Sequence, residues 1–161
     1  GALAIALHPE GISRDALNAF RPPDDRQPMT SGGVRGMLTR VRRHLPVRDA
    51  PYRFEASFTV DVLQLRQHLA HGRVREAVAL YRQPLLPISE APGVVEERES
   101  LEEELRQAVL QSRDPDALCE LAERLGDDLE LWSTAAEALW PNDPRLAVAR
   151  ARVARLEESY T

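Results

Sequence analysis

Residues 30–45 read Thr-Ser-Gly-Gly-Val-Arg-Gly-Met-Leu-Thr-Arg-Val-Arg-Arg-His-Leu, and residues 46–54 continue Pro-Val-Arg-Asp-Ala-Pro-Tyr-Arg-Phe. In the first stretch Val34, Leu38, Val41 and Leu45 recur at i, i+4, i+7 and i+11, which is one face of a 3.6-period helix. The other faces carry Arg35, Arg40, Arg42 and Arg43. Thr30 or Ser31 is the expected N-cap, and Pro46 ends the helix. Gly32, Gly33 and Gly36 each weaken a helix by about 1 kcal/mol relative to Ala, so a frayed first turn or a start near Val34 is expected. The second stretch reads as extended, with Tyr52 and Phe54 on one side and Arg53 on the other.

A basic amphipathic helix followed at once by a small strand pair is the outline of a winged helix-turn-helix. On that reading the helix over about 31–45 lies in the DNA major groove, and the strand pair is its wing. Arg35, Thr39 and Arg42 form one stripe; Gly36, Arg40 and Arg43 form the adjacent one. A helix in the major groove needs arginines opposite its apolar anchor, to pair with guanine edges or phosphates. Arg53 in the wing is placed to reach a phosphate or the minor groove. The candidate DNA-binding set is therefore Arg35, Thr39, Arg40, Arg42, Arg43 and Arg53. The blander reading is a solvated basic face that pairs with acids elsewhere in the chain.

Charge favours the first reading moderately. The 161 residues carry a formal charge of −5, and all 21 basic residues are Arg. Residues 1–58 hold nine Arg against six carboxylates, a net of +3. Residues 59–161 hold twelve against twenty, a net of −8. A basic first third joined to an acidic remainder is the asymmetry of a nucleic-acid-binding domain fused to one of another kind. The chain length fits one medium or two small domains. No apolar run approaches the roughly 20 residues that span a bilayer. The apolar start, residues 2–7, has no basic n-region and reads as a helix rather than a signal peptide. Gly in place of Met at position 1 fits a piece of something longer. Cys119 is the single cysteine, so an intrachain disulfide is excluded, and it reads as core in a cytoplasmic protein.

The rest of the chain reads as helices. Ala2 to Leu7 forms a helix end, and Ser13 caps a second helix over 14–20 with Ile12 as a hydrophobic staple. Three prolines and an acidic pair make residues 21–28 a loop. From Thr59 onward the pattern is helical throughout. Residues 60–70 and 73–81 form a helical hairpin around Gly72. A proline-rich loop over 84–93 precedes a long Glu-rich helix over 94–111. Asp114-Pro115 and Asp143-Pro144 each open a helix, since Asp caps and Pro suits the first turn. Between them lies a helix over 129–140 with Trp132, Ala135 and Leu139. The pairing of helices about 10–15 residues long is that of a degenerate tetratricopeptide-like array.

Residues 60–110 resemble the bacterial transcriptional activator domain of antibiotic-regulatory-type activators. The resemblance rests on Val60-Asp61-Val62, on Gly72-Arg-Val-Arg-Glu-Ala-Val-Ala-Leu-Tyr81, on Pro84-Leu85-Leu86-Pro87, and on Val95-Glu-Glu-Arg98 followed by Leu101 and Leu105. In that family a winged-helix DNA-binding domain comes immediately before. Residues 6–13 (Ala-Leu-His-Pro-Glu-Gly-Ile-Ser), 39–45 and 51–54 sit where it should be. The chain is also similar to the C-terminal half of bacterial regulators that carry a GAF sensor domain upstream. There Leu86-Pro-Ile-Ser-Glu-Ala-Pro-Gly93 and residues 143–156 carry the likeness. The resemblance implies a mainly α protein: a winged helix-turn-helix over 1–58 and an all-helical, tetratricopeptide-like domain over 59–161. It also implies a transcriptional regulator, or its output half, whose signal is sensed elsewhere.

No catalytic arrangement is visible. The Glu run over 96–104 reads as a solvated helix face, with Arg98 and Arg106 each four residues from Glu102. His68 and His71 lie at i, i+3 with no third ligand. Gly32-Gly33 is not a phosphate-binding loop. Trp132 and Trp140 read as core anchors or an interface. The expectations are therefore no enzyme, no cofactor, no metal and no membrane. The expected partners are double-stranded DNA, a second copy of the chain, and a sensor domain or the transcription machinery. The alternative is a protein–protein interaction scaffold whose winged helix does not bind DNA. The three glycines and the short wing, with Pro51 in place of a Gly-rich tip, favour that alternative. The two readings differ at the surface: DNA binding needs Arg40, Arg42 and Arg43 exposed together.

Overall fold

The computed structural model describes residues 2–21, 30–49, 51–55 and 61–159. Among these the protein is mainly helical, with one two-stranded sheet. In order it forms α1 (Ala2–Leu7), α2 (Arg14–Asn18), α3 (Ser31–Arg42), β1 (Val47–Arg48), β2 (Arg53–Phe54), α4 (Asp61–Ala70), α5 (Val74–Leu80), α6 (Pro92–Ser112), α7 (Pro115–Leu125), α8 (Leu129–Ala138) and α9 (Arg145–Ser159). The loop expected over 21–28 lies outside the described residues beyond Arg21, as does Val60 at the expected start of α4. Packing divides the chain into two compact units. One takes Gly1–Gln64 with Leu85–Ser100, the other Leu65–Pro84 with Leu101–Thr161. The expected boundary after residue 58 falls within the first unit, and residues 85–100 group with that unit too.

The first unit is built on one small core: Ala4 and Ile5 from α1, Ile12, Leu17 from α2, Val34 and Leu38 from α3, and Val47 from β1. Phe20, Met37, Val41, Tyr52 and Phe54 pack around it. Each fully buried aliphatic side chain here stabilises the unit by about 1.5–3 kcal/mol. β1 and β2 pair antiparallel in the register Val47↔Phe54 and Arg48↔Arg53. A third segment joins them: Ile12 and Tyr52 exchange backbone hydrogen bonds, each 2.9 Å long. Gly11 is required beside it. Its φ is +115°, and a Cβ there would lie 2.6 Å from Pro51 Cγ. Ser13 caps α2 as expected, accepting from the Ala16 N–H at 3.2 Å.

Residues 85–100 bring a clamp to the same unit. Arg98 donates from Nε to the Leu85 carbonyl and from Nη2 to the Leu86 and Ser89 carbonyls, all at 2.8 Å. This holds Leu86 in the left-handed region, at φ +42°. Gly93 lies against the end of α2, and its N–H donates to the Ala19 carbonyl. A Cβ at Gly93 would fall 2.9 Å from that oxygen. The expectation that Arg98 lies on a solvated helix face is thus corrected. Helical spacing showed its neighbour Glu102, but not the loop that folds back onto it.

In the second unit α7, α8 and α9 each begin at an aspartate that accepts from the first turn. Asp114 accepts from the Asp116 and Ala117 N–H groups at 3.0 Å, with Pro115 in the first turn of α7. Asp128 accepts from Leu131 N–H at 3.0 Å to start α8, and Asp143 from Arg145 N–H at 2.9 Å to start α9. Leu105, Val109, Leu118, Leu121 and Leu131 are fully enclosed in its core, with Ala117, Ala122, Ala135 and Ala149 letting the helices approach. The two tryptophans separate. Trp132 is 3% exposed and donates from its indole to the Gly126 carbonyl at 2.7 Å, whereas Trp140 is 78% exposed. Cys119 is buried as expected, and burial pushes its thiol above the ordinary range.

Candidate nucleic-acid interface

α3 is a complete helix from its first turn. The Thr30 hydroxyl accepts from the Gly33 N–H at 3.2 Å, and the Thr30 carbonyl accepts from the Val34 N–H at 3.0 Å. The expectation of a start near Val34 is corrected: the cap satisfies the first turn despite its glycines. Val34 and Leu38 point into the core of the first unit, with Met37 and Val41 half-buried beside them. Arg40 and Arg42 occupy the last turn, where cations suit the negative end of the helix dipole.

That anchoring turns a continuous face outward. Gly32, Gly36, Thr39 and Arg43 follow at i, i+4, i+7 and i+11, and all four are exposed. A Cβ on Gly36 would meet no protein atom within 4 Å. Arg40 stands on one flank of this face, and Ser31, Arg35 and Arg42 on the other. Arg35, Arg40 and Arg43 are exposed and bind no carboxylate among the described residues. Thr39 is exposed, but its hydroxyl donates back to the Arg35 carbonyl at 2.8 Å, the common i−4 bond of a helical threonine.

Arg42 is placed differently from its neighbours. Its Nε and Nη2 donate to the Val47 carbonyl at 3.2 and 3.1 Å, and Nη2 also reaches the Asp49 carboxylate at 2.6 Å. The side chain is exposed at its edge yet fastens the end of α3 to β1. These bonds give it a structural part at the end of α3, beside the reading role expected of it. Arg53 is half-buried on β2, directly across from Arg48. Like charges opposed across a strand pair repel, and Glu55 relieves this only at 3.8 Å from Arg48.

One cation that helical spacing did not single out belongs to the same surface: Arg14, at the start of α2, whose Nη1 donates to the Ser31 hydroxyl at 3.1 Å. Arg14, Ser31, Arg35, Arg42, Asp49 and Tyr52 line a cleft of about 270 Å3 along the flank of α3. Only the tertiary approach of α2 to α3 creates it; the sequence signal was no more than an arginine directly after a helix cap.

Residues 114–161 match the family model described as a YTH3-like protein, third C-terminal helical domain. That stretch holds α7, α8 and α9, a helical domain in the structure as in the family. Over 160 residues the chain is 29% identical to the "Uncharacterized 47.3 kDa protein in thcA 5'region" of Rhodococcus erythropolis. The match takes in 96% of this chain and 36% of that protein, so the chain spans about a third of its relative's length. No described helix is long and apolar enough to cross a membrane. No solved structure matches the chain, and its likeness is to the Rhodococcus protein overall and to YTH3-like proteins in its last helices.

Proposed function

We infer that the protein is a DNA-binding transcriptional regulator, the output portion of a longer sensor-regulator. Its first unit works as a winged helix-turn-helix, with α3 in the major groove and the β1–β2 turn as the wing. Its second unit is a tetratricopeptide-like domain that contacts a second copy, a sensor domain or the transcription machinery. The observation that carries this reading is the state of three arginines. In a chain of net charge −5, Arg35, Arg40 and Arg43 stand exposed on one helix with no carboxylate among the described residues. A helix about 10–12 Å wide fits a groove about 12 Å wide, and its outward face then meets base edges. The side-chain-free surface at Gly32 and Gly36 supports a close backbone approach.

The reading includes no catalysis and a cytoplasmic location. Selection from a pool of random duplexes tests it. A recurring motif retained by the wild-type chain and lost with Arg40→Ala/Arg43→Ala is expected. Retention of no duplex by a folded chain would overturn it. That result would favour the second reading, an interaction scaffold, for which the two-residue strands of the wing speak.

A further inference from the structure

The cleft on the flank of α3 has the chemistry of an anion site. Three arginines, Arg14, Arg35 and Arg42, and two hydroxyl-bearing residues, Ser31 and Tyr52, line a space of about 270 Å3 whose apolar lining is Val34 and Leu38. One carboxylate, Asp49, shares the lining, and its charge is taken up by Arg42 at 2.6 Å. Arg14 and Arg35 keep their charge: Arg14 reaches Asp15 only at 4.0 Å, and Arg35 binds no described acid. The Arg14 guanidinium is turned toward α3 by its bond to Ser31 and lines the cleft, with the side chain 52% exposed. Planar forks of this kind match the tetrahedral oxygens of phosphate.

The position selects the kind of phosphate. Ser31, Arg35 and Arg42 lie along one flank of α3, beside the face of Gly32, Gly36, Thr39 and Arg43. When that face enters a groove scarcely wider than the helix, the flank meets the sugar–phosphate wall. Such contacts fix register and orientation without reading sequence.

We propose that this cleft seats one phosphodiester of duplex DNA, held jointly by Arg14 and Arg35. The proposal rests on the DNA-binding reading above and adds a shared ligand pair that α3 alone does not contain. Arg42 is the wall of the site, not a ligand, because Asp49 and the Val47 carbonyl already occupy it.

Binding of the chain to a random duplex is measured across a salt series for wild type, Arg14→Ala, Arg35→Ala, the double variant and Arg14→Lys. Circular dichroism confirms that each is folded. Each single Ala variant should weaken binding at fixed salt but lower the magnitude of the slope of log K against log salt by less than one, because the remaining guanidinium still faces the phosphate. The double variant should lose about one rather than two, because both arginines neutralise the same phosphate. Arg14→Lys should keep the wild-type slope. An unchanged affinity in Arg14→Ala, or a slope loss of two or of none in the double variant, would overturn the shared site while leaving the DNA reading intact. Absence of salt-dependent binding by wild type would overturn both. Inorganic phosphate at constant ionic strength should not displace the duplex. Displacement from wild type but not from Arg14→Ala would mean a free phosphate is the ligand, against the proposal.

Discussion

Arginine does opposite work between the helices of the second unit and on the outward face of α3. In the second unit it fastens helices. Arg75 bridges Asp114 and Asp116 at 2.7 and 2.9 Å, and Arg145 bridges Asp116 and Asp143 at 2.8 and 2.7 Å. Arg106 binds Asp128 at 2.6 Å and Glu130 at 2.5 Å. Arg124 binds Glu120 and the carbonyls of Val78 and Tyr81. On α3 of the first unit, Arg35, Arg40 and Arg43 bind no described acid. A paired guanidinium is neutralised locally and its fork is filled; an unpaired one keeps its charge and its donors for a partner. The overall charge of −5 therefore says little about what either surface attracts.

The largest effect should come from emptying the unpaired set. Arg40→Ala/Arg43→Ala should weaken duplex binding by about 2–6 kcal/mol, taking about 1–3 per arginine, with no change in thermal midpoint. Titration by fluorescence anisotropy beside a melting curve measures both. The reciprocal change is Arg106→Ala. The Arg106 and Asp128 side chains are only 21% and 17% exposed, so the variant strands a half-buried carboxylate that also caps α8. Stability of the second unit should fall by about 1–3 kcal/mol in urea, with DNA affinity unchanged. Loss of DNA binding in Arg106→Ala would blur the contrast between the units.

Acid should act on the second unit in a defined direction. Burial alone would raise the Asp114 and Asp128 carboxyls, but hydrogen bonds from Arg75 and Arg106, with backbone N–H groups, outweigh it and hold both below the ordinary range. Arg145 does the same to Asp143. Groups lowered by folding contribute stability that is complete above the unfolded Asp value of about 3.9 and is lost as pH falls through the lower folded values. Both tryptophans, Trp132 and Trp140, lie in the second unit, so their fluorescence reports its acid unfolding. A transition beginning below about pH 4 is expected, and one complete by pH 5 would contradict the role given to these aspartates. The smallest effect belongs to Gly36→Ala. The added Cβ meets no protein atom, so the helix should gain up to about 1 kcal/mol. On the proposed reading DNA affinity should nevertheless drop, because the methyl would stand between the helix and the groove.

What the sequence made legible was local. Val34 and Leu38 were readable as the buried stripe of α3, and Asp114-Pro115 as the start of α7, because a periodicity or a cap is written in neighbouring residues. Thr30 overcame the glycines for the same local reason, but the balance between cap and propensity could not be read from propensity alone. The structural partners of Arg42, Val47 and Asp49, reach it only after the chain turns at Pro46. The Ile12–Tyr52 bridge joins residues 40 positions apart, and the Arg14 cleft needs two helices side by side. Arg98 belongs with these, since the carbonyls it binds lie 9 to 13 residues upstream. In each case the missing information was a tertiary approach between segments that no spacing rule connects.

On the DNA-binding reading the unpaired arginines of α3 carry the contact, and exposed arginine elsewhere does not. The salt dependence of duplex binding is compared for wild type, Arg40→Ala/Arg43→Ala and Arg82→Ala/Arg150→Ala. The last removes two exposed arginines of the second unit that bind no described acid. The slope should be shallower by about two in the first variant and unchanged from wild type in the second. Equal slopes in the two variants would contradict that reading.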